Sequence, residues 1–180
     1  MRITGGLLAG RIIRVPQGEI RPAMDRLRES VFGSLGDLSS FSFLDLFTGS
    51  GIIALEAASR GAAYIEAVEQ DKQKQQTLLQ NVSISPVRIN CRFMSCELYV
   101  KRAKNNFDII FLDPPFPYKY KWKLLSEIVL SCLVKDNTRI LIHRPQEDYL
   151  KAEIDHLVKT DSRQYGRSVV DFFIVRNRLF

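Results

Sequence analysis

The stretch FLDLFTGSGIIALEAASRGA, Phe43 to Ala62, is followed at once by AYIEAVEQD, Ala63 to Asp71. An apolar run ends on an acid, a glycine turn follows, then a helical segment closed by Gly61, then a second apolar run ending on Glu69. Strand, turn, helix and strand in that order make a parallel βαβ unit. Gly49 and Gly51 permit a tight turn and close approach of a ligand to backbone. The helix N-terminus behind them offers free N–H groups. Ligands of open α/β sheets sit beside such a loop, outside the carboxyl ends of the strands. Glu69 follows Gly51 by 18 residues, where a carboxylate can accept both hydroxyls of a ribose. An adenosine-type cofactor is therefore expected, with Asp45, Phe47, Gly49, Ser50, Gly51, Glu69 and Gln70 around it. Gly49-x-Gly51-x-x-Ala54 also fits the dinucleotide fingerprint, so a nicotinamide cofactor and S-adenosylmethionine both remain open on this stretch. Asp45 favours the second, since an acid facing the loop repels pyrophosphate and attracts an ammonium.

Outward from this unit the same alternation continues. Strands are expected near 41–47, 63–69, 87–93, 107–112, 138–143, 157–164 and 168–176. Helices are expected near 52–60, 71–82, 96–104, 121–133 and 146–153. That pattern predicts an α/β domain with a mostly parallel sheet covered on both faces. The last two strands meet at Tyr165-Gly166 with no helix between them, which places an antiparallel strand in the sheet. Upstream, Ala23, Leu27, Val31 and Leu35 recur every four residues in an amphipathic helix. Residues 1–20, broken by Gly5-Gly6 and Gly10 and closed by Pro16 and Gly18, read as a small hairpin appendage to a domain of residues 21–180.

FLDPPF, Phe111 to Phe116, closes the fourth strand, so Asp113 belongs at its carboxyl end beside the glycine loop. Two prolines fix φ and remove two donors. What is left is a stiff corner of acceptors, the Asp113 carboxylate and the Pro114 carbonyl, with the flat ring of Phe116. The exocyclic amine of a nucleobase needs such a corner, because its lone pair is delocalised into the ring. Two acceptors on its N–H groups aim that lone pair, and an aromatic holds the base out of its stack.

Six arginines in residues 1–28 (Arg2, Arg11, Arg14, Arg21, Arg26, Arg28) face only Glu19 and Asp25, within a net charge of +6 overall. A one-sided basic patch suits a polyanion such as RNA. YKYKWK, Tyr118 to Lys123, alternates rings and lysines beside the catalytic corner, a pattern that suits bases and phosphates or a solvated helix start. Cys91, Cys96 and Cys132 match no CxxC pattern and read as small buried hydrophobes. His143 and His156 stand isolated, so no metal is expected. With no signal-peptide core and no long apolar run, a cytoplasmic protein is expected.

At these residues the chain resembles the class I S-adenosylmethionine-dependent methyltransferases, with DPPF as their amino-methylating motif. More narrowly it is similar to the bacterial small-subunit (16S) ribosomal RNA guanine-N2 methyltransferases of the D type. RITGGLLAGRIIRVP, RPAMDRLRESVFGSL, FLDLFTGSGIIALEAASRGA, VEQD and FLDPPF fall in family order. The resemblance implies a Rossmann-like sheet of order 3-2-1-4-5-7-6 with strand 7 antiparallel, and transfer of methyl to guanine N2. It implies that Asp45, Gly49 and Gly51 line the methionine end, that Glu69 holds the ribose, and that Asp113, Pro114 and Phe116 place the base, with Asp113 also bordering the cofactor. Arg2, Arg11, Arg21 and Arg28, with Tyr118 and Lys119, would face RNA or brace the entrance. Where relatives carry Asp or Asn after the third strand, this chain has Ser95 and Cys96, which are expected to hold the adenine. The substrate would be 16S ribosomal RNA, with an assembly intermediate carrying ribosomal proteins left open, and the enzyme a monomer. Other readings are an adenine-N6 methyltransferase on DNA or RNA, a nucleotide-dependent oxidoreductase, and a non-catalytic RNA-binding assembly factor.

Overall fold

The computed structural model describes residues 1–16, 25–150, 153–154 and 156–176. Helix α1 (Asp25–Leu35) precedes β1 (Ser42–Leu46), α2 (Ile52–Ser59) and β2 (Tyr64–Glu69). A single 3-10 turn leads into α3 (Gln75–Val82), then β3 (Ile89–Phe93), α4 (Cys96–Arg102) and β4 (Ile109–Leu112). After α5 (Lys121–Leu130) come β5 (Arg139–Pro145), β6 (Glu153–Ile154), β7 (Leu157–Tyr165) and β8 (Ser168–Val175). The sheet runs β3-β2-β1-β4-β5-β8-β7-β6. This is the expected order 3-2-1-4-5-7-6, with the hairpin β7–β8 as its last two strands and a two-residue strand added at the edge. Strand β8 lies antiparallel to β5. The helix expected at 146–153 is not found among the described residues: 146–147 are a turn and β6 follows, with the Gln146 N–H donating to the Arg167 carbonyl at 3.0 Å and Asp148 paired with Lys121 at 2.8 Å.

Side chains alternate between two cores, one on each face. Phe43, Ile65, Ile109, Phe111 and Leu141 face α1 and α2. Leu44, Leu46, Val68, Ile110, Leu112, Ile140 and Ile142 face α4 and α5. The same period puts Asp45 of β1 and His143 of β5 on the α2 face and, continued one residue past β4, Asp113 as well.

Helix α2, IIALEAAS, is buried along its whole length, since the N-terminal segment lies across it. That segment is less a hairpin than a loop closed by a single antiparallel bridge, Arg2 to Ile12. Nor is it a mere appendage, because Ile3, Leu8 and Ile13 belong to the core. Leu7 N–H donates to the Ser59 carbonyl at 2.7 Å, and a Cβ on Gly6 would lie 1.9 Å from that oxygen. Glu56 of α2 is the hub. It accepts from the Thr4 N–H at 2.8 Å, from Arg28 Nε at 3.1 Å and from Arg60. Arg28 is 0% exposed and also donates to the Arg2 carbonyl and to Asp25. The RNA-facing place expected for Arg28 is therefore corrected: its charge is spent inside the protein, joining α1, α2 and the N-terminal segment. Replacing Glu56 by alanine leaves the Arg28 guanidinium buried with its partner set broken. Unfolding in urea should show a loss of about 3–5 kcal/mol.

Candidate active site

The first βα turn departs from regular backbone at three places. Phe47, Gly49 and Gly51 all have positive φ, at 63°, 55° and 83°. For Phe47 this is an uncommon conformation, and such residues gather at functional sites. At Gly51 a side chain would also meet Leu78, with a Cβ 2.7 Å from its Cδ1. The turn is closed from several sides. Thr48 N–H donates to the Val68 carbonyl at 3.0 Å, and Gly51 N–H to the Thr48 carbonyl at 2.9 Å. Glu69, buried at the end of β2, accepts from the Gly49 N–H at 2.9 Å and from the Asp71 N–H at 2.8 Å. Asn81 of α3 donates to the carbonyls of Ser50 and Arg14, both at 2.9 Å. Sequence reading missed Asn81, since a lone amide on a helix carries no pattern.

Asp45 is completely buried. Its Oδ2 accepts from the Ala54 N–H at 3.1 Å and from the Thr48 hydroxyl. Its Oδ1 is buried with no partner among the described residues. Burial pushes the carboxyl up to about 8; the Thr48 hydrogen bond opposes this, and the charges of Asp113 and Glu69 add to it. Three acids therefore converge on the carboxyl ends of β1, β2 and β4.

Asp113 N–H donates to the Leu46 carbonyl at 3.2 Å, which ties the DPPF corner to the end of β1. Its Oδ1 lies 2.7 Å from Nδ1 of His143. His143 is therefore not isolated as the sequence suggested: parallel register pairs Leu112 with Ile142, and the next residues on each strand meet. Phe116, half-buried, presents its ring edge-on to His143 at 5.6 Å. Pro114 is buried and Pro115 exposed.

The expectation of a solvated or RNA-stacking YKYKWK segment is corrected in two places. Lys121 is buried and donates to the carbonyls of Phe116 at 3.0 Å and Tyr118 at 2.6 Å, holding the corner from behind. Tyr118 is half-buried, its hydroxyl donating to Glu97 and its ring lying 5.2 Å from Phe47, so it braces the turn. Lys119 is exposed. Ser95 caps α4, its Oγ accepting from the Leu98 N–H at 3.2 Å, and Cys96 is buried beside it. Cys91 is half-buried and Cys132 exposed, against the expectation that all three cysteines pack inside. Arg2 and Arg11 are exposed, Ser50 is buried, Gln70 is exposed, and Arg21 lies outside the described residues. No described helix is long and apolar enough to cross a membrane.

A family model described as "Conserved hypothetical protein 95" matches residues 1–174. The ribosomal RNA small subunit methyltransferase D of Haemophilus influenzae is 31% identical over 154 residues, covering 82% of this chain and 80% of that protein. Its namesake in Escherichia coli K12 is 35% identical over 122 residues, 64% of this chain and 60% of that protein. The solved structure of a hypothetical protein from Thermus thermophilus superposes with a TM-score of 0.82 at 28% identity, covering 98% of this chain and 99% of that one.

The burial of Asp45 sets a stability slope. Its folded pKa of about 8 lies above the ordinary 3.8, so the folded state keeps a proton that the unfolded chain has released. Stability is thus lost as pH rises through that window. Measured by urea unfolding from about pH 5 to about pH 8, the wild type should lose stability relative to Asp45→Asn, which carries no such proton.

Proposed function

We propose that this chain, which belongs to the ribosomal RNA small subunit methyltransferase D family, moves a methyl group from S-adenosylmethionine to the exocyclic N2 amine of a guanine in 16S ribosomal RNA. One observation carries the choice of cofactor: the cleft is acidic. Asp45, Asp113 and Glu69 stand at the carboxyl ends of β1, β4 and β2, and the charges of the last two add to the burial that raises Asp45. Pyrophosphate would be repelled from such a place, while a cationic donor is attracted. The unpartnered, buried Oδ1 of Asp45 suits an ammonium group. S-adenosylmethionine supplies a methyl on a positively charged sulfur, which makes that carbon electrophilic.

The residues assigned to hold it are Asp45, Phe47, Gly49, Ser50, Gly51, Glu69, Gln70, Ser95 and Cys96. Phe47 is fixed by its left-handed backbone and by Tyr118. The Ser50 hydroxyl turns toward Met1 Sδ at 3.9 Å, so its backbone is the part assigned to the cofactor. Glu69 already holds the Gly49 N–H, and its role toward ribose adds to that hold on the loop. On the other side of the cleft, the Asp113 carboxylate and the Pro114 carbonyl accept the two N–H groups of the guanine amine, and Phe116 stacks on the base. This removes conjugation of the lone pair and points it along one direction. The amine becomes strongly acidic once alkylated, so its extra proton passes to water without a dedicated base.

The exposed Arg2 and Arg11, on a segment fastened to α2, are assigned with Lys119 to the RNA backbone. In this reading residues 1–20 form the RNA-facing part of a monomeric cytoplasmic enzyme built on residues 21–180, with an assembly intermediate carrying ribosomal proteins as a candidate form of the substrate.

The test is methyl transfer from tritiated S-adenosylmethionine to small-subunit RNA and particles from a strain lacking the endogenous enzyme. Label should appear in N2-methylguanosine. Asp113→Ala should lower kcat by roughly a hundred-fold or more, as loss of a transition-state hydrogen-bond acceptor does, with cofactor affinity largely kept. Label in N6-methyladenosine instead would replace guanine by adenine, and undiminished function of Asp113→Ala would mark a binding protein.

A further inference from the structure

We infer that His143 is a positioning residue for the transfer, orienting both Asp113 and Phe116; this rests on the function proposed above. The imidazole is 4% exposed, on β5 next to Leu141 and Ile142 in the interior of the sheet. A carboxylate can only accept, so the 2.7 Å contact places the hydrogen on Nδ1, which donates to Asp113 Oδ1. With Oδ1 held, Asp113 turns its second oxygen to the amine in one rotamer. The same ring meets Phe116 edge-on at 5.6 Å, so one side chain braces both the acceptor and the stacking ring. Lys121 fixes the carbonyls that follow, at Phe116 and Tyr118, and the corner is held from two sides.

The other ring nitrogen argues that this arrangement is not there for stability. Nε2 is buried with no partner among the described residues. A buried polar atom left unpaired destabilises a fold, and an aliphatic side chain would fill this interior position without that penalty. A local choice that opposes stability, in contact with the reacting corner, is the pattern of a functional residue. The imidazole reaches the substrate only through Asp113 and Phe116, so its effect is on orientation and not on proton transfer.

Two variants of the full chain separate the roles. His143→Leu removes the donor. It should lower kcat by roughly ten- to hundred-fold, the scale of misplaced reacting groups, with KM for S-adenosylmethionine within about twofold of wild type and a thermal midpoint equal or higher. His143→Asn puts an amide N–H where Nδ1 was and should restore most of kcat. A second readout needs no turnover: proton NMR of the wild type should show a far-downfield Nδ1–H resonance that disappears in Asp113→Ala. An active wild type with unaltered kcat in His143→Leu overturns the inference. So does a loss in both variants that tracks a lowered thermal midpoint, or the absence of that resonance. A wild type that labels no RNA at all counts against the proposed function, and the resonance still decides whether His143 holds Asp113.

Discussion

Side chains on a strand alternate between faces, and neighbouring parallel strands keep that alternation in step. In this sheet the rule brings Asp45, Asp113 and His143 to the same face, at the ends of β1, β4 and β5, where the α2 side begins. None of the three lies near another in sequence. A shift of one residue in the pairing of β4 with either neighbour would turn Asp113 toward α4 and α5 and empty the site. The hydrogen bond from the Asp113 N–H to the Leu46 carbonyl prolongs the pairing one residue past the strand, so register and chemistry are set together.

The second organising feature is the anchoring of the N-terminal segment. A loop rich in glycine and arginine would ordinarily sample many conformations. Here three core side chains, Ile3, Leu8 and Ile13, and the buried Glu56–Arg28 pair fix it across α2. Asn81 extends the fixation to the glycine turn, since one amide holds Arg14 and Ser50 together. The exposed arginines proposed to meet RNA are thereby fixed relative to the site proposed to act on it. Rigidity of that kind supports specificity in a compact chain with little surface to spare.

Much of this was legible in advance because the signals are local. Apolar runs of strand length, a glycine turn, an acid after the second run and the rigid DPPF each report on their own neighbourhood. Gly166 and the missing last helix likewise announced the antiparallel strand. The failures came where long-range contacts decide. Arg28 reads as one more surface arginine until Glu56, 28 positions later, is placed against it. Lys121 reads as solvated until its three oxygen partners are known. His143 was legible in principle: aligning IIFLD with RILIH by their apolar residues sets Asp113 against it. Dismissing it as isolated treated sequence distance as spatial distance. Ser95 adds a second role that the sequence reading left out: its hydroxyl, read only toward a ligand, caps α4.

An acidic cleft is itself a constraint, because like charges gathered out of water oppose folding. The chain relieves it in two ways. Glu69 is satisfied by two backbone N–H groups, and Asp45, with one oxygen unpartnered, holds a proton up to about pH 8. A cation entering beside Asp45 would displace that proton and reduce the mutual repulsion of the three acids at the same time. The free energy so released would fall on any ligand that brings an ammonium to Asp45, the donor and its neutral-sulfur product alike. The sulfonium of the donor would add a second positive charge in the acidic cleft that the product lacks, and that difference favours exchange of product for donor.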